Sequence, residues 1–249
     1  LNWDSLFEVG RQAAVVNLSD LAGSGGAAGW LVCSLALPET WSRDDVRALT
    51  AGFAQVAASA GAQIVGGNLA STTGPAVISV TAGGPLAGAS ALTRDQALVG
   101  DIVYVSGHLG DRAIGYLSPS KETRSLRHEW RPHLSEARQL AAIDGVGACM
   151  DISDGLLRDA ARLAKCSALG IEIESDKLPI SAQFKKLWGA DLSAAMTGGE
   201  DYVLLFTARP GVNIPDWGLP IGRCVAGAGV AVDGVDRPGA GYDHFEGGN

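Results

Sequence analysis

At 249 residues and 25.5 kDa, with 47% hydrophobic and 18% charged residues, the chain can bury a substantial core and has the length of one large or two modest domains. Its 27 acidic against 19 basic side chains leave a net charge of -8 and an isoelectric point near 4.9, which argues against a nucleic-acid partner because phosphate-backbone affinity needs a basic surface. No apolar run approaches the roughly 20 residues of a membrane span, and the first residues lack the basic-then-apolar order of a signal peptide, so a cytoplasmic protein without a membrane partner is expected.

Residues 6–22 carry Val9, Ala13 and Val16 at helical spacing, and the same face extends to Asp20, with Asn17 beside it. A carboxylate near a helix C-terminus opposes the helix dipole at about 0.3–1 kcal/mol when exposed. Either Asp20 faces water or a bound cation removes that penalty. The run GSGGAAG at 23–29 follows a helix and precedes a strand, the reverse of a dinucleotide-binding loop, and is read as a flexible turn. A strand at 30–37 ends at Pro38. Ser42 and Asp45 form a capping box for a helix reaching about residue 60, stopped by Gly61. Strands are expected at 62–65 and 75–82, joined by a polar loop at 66–74. The turn-rich GGPLAG at 83–88 marks a boundary between an α+β domain, 1–86, and an α/β domain, 87–249.

A strand at 101–106 and a helix at 109–117 precede the polar stretch 118–132, which carries Lys121, Arg124, Arg127, His128 and Arg131 and reads as a solvated loop. A helix is expected at 134–143. The central stretch is 148–170, ACMDISDGLLRDAARLAKCSALG, where a short apolar run delivers Asp151, Ser153 and Asp154 to the start of an amphipathic helix. Leu156, Ala160, Leu163 and Ala164 share its apolar face. Such a helix start attracts anions, and two carboxylates three positions apart can share a hard cation such as magnesium, so the pattern suits a metal-bound polyphosphate. Ser153 or Asp154 alone would serve equally as an ordinary helix cap, which leaves Asp151 unexplained. A strand at 171–173, a helix at 181–188 and a strand at 202–207 follow. Before the last strand, Thr197-Gly198-Gly199-Glu200-Asp201 is either a plain turn or a loop that lets backbone approach a ligand. In the Gly-rich tail, Tyr242 and Phe245 can stack on a flat aromatic ligand or pin the terminus to the core.

The four cysteines lack CxxC spacing and the four histidines lack metal-ligand spacing, so neither a zinc site nor a disulfide framework is signalled. There is no Walker A sequence and no GxSxG elbow.

Six stretches, NLSDLA (17–22), VGGN (65–68), LTRDQALVGDIVYVSGHLGD (92–111), MDISDGLL (150–157), TGGEDYVLLFT (197–207) and GYDHF (241–245), together resemble the thiamine-monophosphate kinase family. That family is a branch of the fold shared with aminoimidazole ribonucleotide synthetase and selenophosphate synthetase. The resemblance implies a two-domain α+β / α/β fold, its N-terminal domain lacking the opening strand and pairing with its twin in a homodimer, with ATP and several magnesium ions in the cleft. It implies ATP-dependent phosphorylation of thiamine monophosphate to thiamine diphosphate by magnesium-assisted, direct in-line transfer. By motif, Asp20, Asp151 and Asp154 would be metal ligands, with Asn68 at a further metal position; Arg94 and Ser153 would contact ATP, and Glu200 and Phe245 the thiamine substrate. No general base is implied, because the acceptor phosphate is already ionised.

Three departures stand out. The family's opening Gly-Asp-Asp segment is not in this sequence, Asn68 offers a neutral oxygen where an aspartate is usual, and Thr50 stands near the place of an ATP-contacting tyrosine. Weaker magnesium binding is therefore expected than in a typical member. Two other readings stay open: the same fold acting on another small metabolite, and a catalytically incomplete protein that binds nucleotide or thiamine phosphate.

Overall fold

The computed structural model describes residues 5–118, 120, 122–128, 131–237 and 241. The chain opens with α1 (Leu6–Gly23), capped by the Ser5 hydroxyl, which accepts the Glu8 amide. β1 (Trp30–Pro38), α2 (Arg43–Ser59), β2 (Gln63–Thr72) and β3 (Val77–Gly83) follow. The Ser42–Asp45 capping box is formed on both sides. β1 is the central strand of this sheet, parallel to β2 and antiparallel to β3.

Residues 66–74, expected as a polar loop, are strand as far as Thr72. Pairing with β1 satisfies their backbone, while exposure along almost the whole strand removes the apolar–polar alternation that would have marked it. On the other side of the sequence, α1 and α2 cross at close range because two glycines omit their side chains. A Cβ on Gly10 would lie 1.9 Å from the Leu49 carbonyl oxygen, and one on Gly52 would lie 1.9 Å from that of Phe7.

The remaining α-helices and strands are β4 (Ile102–Val105), α3 (Asp111–Leu117), α4 (Arg124–His128), α5 (Leu134–Leu140), β5 (Val146–Asp151), α6 (Leu156–Cys166), β6 (Gly170–Ile173), α7 (Ala182–Trp188), α8 (Ser193–Thr197), β7 (Leu204–Ala208), β8 (Leu219–Val225), β9 (Gly229–Val232) and β10 (Val235–Asp236), with a short 3-10 turn, Ser175–Lys177, after β6. The strands form a second sheet in the order β10-β9-β6-β8-β4-β7-β5. Its named pairings are antiparallel except that of β6 with β9. The short helix α4 interrupts the stretch expected as a loop. β7 begins two residues later than expected, because Tyr202 has a φ of 53 and cannot continue a strand.

Leu156, Ala160, Leu163 and Ala164 of α6 are fully buried against a core that includes Val103, Val105, Ile152 and Ile171. Each such aliphatic side chain larger than alanine contributes about 1.5–3 kcal/mol by leaving water. A separate cluster ties α1 to the second sheet: Ala22 packs with Tyr104, Cys149 and Phe206. A Cβ on Gly23 would meet the Asp151 amide nitrogen at 2.8 Å, so the last turn of α1 lies directly against the end of β5. That contact builds the site. Among the described residues no helix is long and apolar enough to cross a membrane.

Candidate active site

Where α1 meets β5, Asp20 and Asp151 line one cavity of about 190 Å³ together with Gly23, Ser24, Leu92, Thr93 and Arg94. Asp20 is exposed at this cavity, whereas Asp151 is buried and accepts a 2.7 Å hydrogen bond from the equally buried Ser19 hydroxyl. Residues 131 or more positions apart are thus joined by neighbours on α1, Ser19 orienting one carboxylate while Asp20 supplies the other. Partial burial lifts the Asp20 carboxyl above its ordinary value, against the nearby Arg94 guanidinium. Asp151 is pushed up to about 6, first by burial and further by the charges of Asp20 and Asp159, against the Ser19 hydroxyl. Two acids that resist ionising together form a site that favours a cation. The 92–94 segment is pinned on three sides: the Leu92 amide donates to the Ser24 carbonyl, the Cys149 amide to that of Thr93, and the Ser167 hydroxyl to that of Arg94.

Asn17, by contrast, bonds its own helix through the Ala13 carbonyl. Asn68 lies exposed on β2 opposite Ser34 and is not among the residues lining this cavity.

The turn between β5 and α6 is held by a residue one helical turn further on. Asp159, with no exposed surface, accepts the Ser153 amide at 2.9 Å and the Asp154 amide at 3.0 Å through one carboxylate oxygen. Ser153 and Asp154 are therefore not the helix caps; they are the capped groups, and Gly155, at φ 108, makes the turn into α6. Burial raises the Asp159 carboxyl, the amide bonds and Arg162 opposing it. Arg162 binds Asp159 at 2.6 Å and the Asp154 carboxylate at 2.5 Å. Asp154 is thus paired with a guanidinium and does not line the Asp20–Asp151 cavity. Among the described residues no group of three or more His, Cys, Asp or Glu side chains is arranged to hold a metal.

Glu200 reaches the same turn from the other side, its amide donating to the Ser153 carbonyl at 2.7 Å. Glu200 and Tyr202 both take left-handed backbone, φ 65 and 53, a strained conformation for residues with side chains. The payoff in contacts is that the Glu200 carboxylate receives Gln12 from α1 and Arg112 from α3, each at 3.1 Å, and the Tyr202 hydroxyl at 3.3 Å. Arg112 is itself 3% exposed and stacks on the Tyr202 ring at 5.5 Å. Asp201 turns the opposite way into a cavity of about 400 Å³ lined also by His108, Asp111, Arg112, Arg131 and His133. One of its oxygens accepts the Gly110 amide at 2.9 Å and the other is buried without a hydrogen-bond partner, so burial pushes this carboxyl well above the ordinary range. Phe245 lies outside the described residues.

Models of the AIR synthase related protein N-terminal and C-terminal domains match residues 2–86 and 99–214. A thiamine-monophosphate kinase of Aquifex aeolicus (strain VF5) is 36% identical over 263 residues, covering 95% of this chain and 81% of that protein. One of Bacillus subtilis (strain 168) is 31% identical over 238 residues, covering 91% and 72%. The chain belongs to the thiamine-monophosphate kinase family. A solved structure, AaThiL complexed with AMPPCP and TMP, matches with a TM-score of 0.84 at 31% identity, covering 98% of this chain and 82% of that one.

In this family member the residues that sequence reasoning passed over are the orienting ones: Gln12, Ser19, Arg112, Asp159 and Arg162. For Asp159 and Arg162 a signal was present, since positions 154, 159 and 162 bring two acids and a base to neighbouring turns at the start of one helix. For Arg112 there was none, because its partner Glu200 stands 88 positions away.

Proposed function

We propose that this protein phosphorylates thiamine monophosphate to thiamine diphosphate with ATP, by direct in-line transfer assisted by magnesium, and that it works as a homodimer joined through residues 1–86, with residues 87–249 completing the site. The observation that carries the reading is the meeting of Asp20, Asp151 and Arg94 around one cavity, from three separate segments of the chain. This is an all-oxygen acidic pair beside one guanidinium, a set that would suit a divalent ion masking phosphate charge. The donor set fits magnesium, which is ordinarily held by one or two carboxylates together with substrate phosphates and water. Asp20 and Asp151 would hold it, and Asp154, now paired with Arg162, would add an oxygen if released, whereas Asn68, exposed on β2 opposite Ser34, stands away from this cavity and is not a donor to it; when bound the ion would supply charge masking for two polyanions.

The protein's own groups do the rest. Ser19 fixes the rotamer of Asp151, and Arg94, anchored through its backbone at Ser167, neutralises ATP phosphate charge. Ser153 presents its hydroxyl to ATP from a turn whose amides are held by Asp159. Glu200, braced by Gln12 and Arg112, accepts hydrogen bonds from the thiamine moiety. The acceptor phosphate is ionised at neutral pH, so alignment of its oxygen with the γ-phosphorus is the main requirement and no poised base is needed.

ADP release by the purified chain, measured with thiamine monophosphate and with other phosphate monoesters, tests the assignment. Turnover specific to thiamine monophosphate, falling roughly 100-fold in Asp151→Asn, is expected. Equal turnover with unrelated monoesters, or an undiminished Asp151→Asn, would overturn it.

A further inference from the structure

The clamp at the start of α6 has a consequence for the acid it holds. Arg162 lies between two carboxylates, one nitrogen 2.6 Å from Asp159 and the other 2.5 Å from Asp154. Asp159 is fully buried and already committed to two backbone amides, whereas the Asp154 side chain keeps 15% of its surface and Arg162 keeps 41%. The two halves of the bridge are therefore unequal. The Arg162–Asp159 bond is anchored, and the Arg162–Asp154 bond is the one that solvent and ions can reach.

We propose that Arg162 is a positioning residue that competes with divalent cations for Asp154 and so sets the affinity of the phosphate-binding site. With Arg162 on both acids, the site offers a cation Asp20 and Asp151 alone. When an ion takes Asp154, Arg162 remains on Asp159 and the Ser153–Asp154 backbone keeps its two amide bonds, so the exchange needs no rearrangement of the turn. The inference rests on the reading of Asp154 as a cation ligand.

The test is manganese binding to the full chain without nucleotide, followed by calorimetry and by the loss of the free-ion electron paramagnetic resonance signal. Removing a partly exposed competitor is worth about a fivefold gain in affinity, so Arg162→Met is expected to bind Mn2+ about fivefold more tightly than the native chain. Arg162→Lys, which cannot bridge both acids, should lie between the two and carries the test if the methionine variant does not fold. Lys165→Met removes an equal charge from an exposed position of the same helix and should leave affinity within about twofold. The gain should vanish in Asp154→Asn/Arg162→Met. A folded Arg162→Met that binds no more tightly overturns the proposal, as does a gain that survives in the double variant. If the native chain and Arg162→Met both fail to bind the ion, the cation reading of Asp154 falls and the proposal falls with it. Native binding lost in Asp154→Asn, with Arg162→Met unchanged, would leave that reading standing and sink the competition alone.

Discussion

His133 shows how a single buried group ties this fold to pH. Its Nδ1 lies 2.9 Å from the Ser106 hydroxyl, which also accepts the Leu204 amide, so the ring is locked to the β4–β7 ladder. Burial, aided by the Arg131 charge and opposed by Glu136, lowers its pKa to about 4, so the contact with Glu136 at 3.7 Å joins a neutral ring to a carboxylate. That carboxylate is itself held down to about 2, its burial outweighed by hydrogen bonds from Arg131 and Ser135. A histidine that binds its proton more weakly when folded contributes stability in full above its unfolded pKa near 6.5, and that contribution is lost as pH falls toward 4. Glu136 adds to the loss only below about pH 4.5, its ordinary value. Between pH 6.5 and 4.5 the native protein should therefore lose about 2 kcal/mol more than His133→Asn, which can keep the Ser106 bond but has no proton to gain. Urea melts at the two pH values measure this directly. Equal losses in both proteins would show that the imidazole is not the group responsible.

At the scale of elements, the crossing of α1 and α2 decides where the site stands, because α1 carries Gln12, Ser19 and Asp20. Helix propensity favours alanine over glycine by about 1 kcal/mol, so Gly52→Ala ought to stabilise α2 taken alone. The packing says the reverse: the new methyl would sit 1.9 Å from the Phe7 carbonyl oxygen and 2.8 Å from its carbon, backbone atoms that cannot swing aside. Overpacking of this kind costs about 1–3 kcal/mol, so the expected net effect is a lower melting temperature and a weakened kinase activity as α1 is pushed off α2. A melting temperature at or above that of the native protein would refute the close crossing. The same contrast explains what could be read in advance. The threshold of α6 is legible because its cues are local: an apolar run, two acids, and a 3.6-residue apolar stripe that the core then buries completely. The small-residue crossing is silent, since a glycine in a helix looks like a weakness until the partner helix is in place. So is β2, whose partner β1 supplies its order. Asp20 could be nominated from its helix face, but only the packing of Gly23 on the Asp151 amide shows why it meets an acid 131 positions away. The pairing of Asp154 with Arg162 needed the turn into α6 in three dimensions.

For the molecule as a whole, the first sheet is the part whose edges stand open among the described residues. β2 is an edge strand, and Ile64, Val65 and Leu69 expose 47%, 59% and 63% of their surface along it, with Val77 on β3 exposing 56%. An open strand edge with apolar side chains is a template for pairing with another chain, and soluble proteins generally cover such edges or blunt them with charge. β2 carries no Lys, Arg, Asp or Glu between Gln63 and Thr72. A homodimer joined through this sheet would cover the apolar surface, and the acidic chain, at a net charge of -8, would keep the assembly soluble without further aggregation. Sedimentation equilibrium is expected to give twice the 25.5 kDa chain mass for the native protein. Leu69→Lys places a charge on the open edge strand, at a side chain that keeps 63% of its surface, and should move the equilibrium toward monomer while far-ultraviolet circular dichroism stays unchanged. A native protein that sediments at the mass of one chain, or a Leu69→Lys variant that dimerises as tightly as the native one, would show that the exposed sheet is covered in some other way.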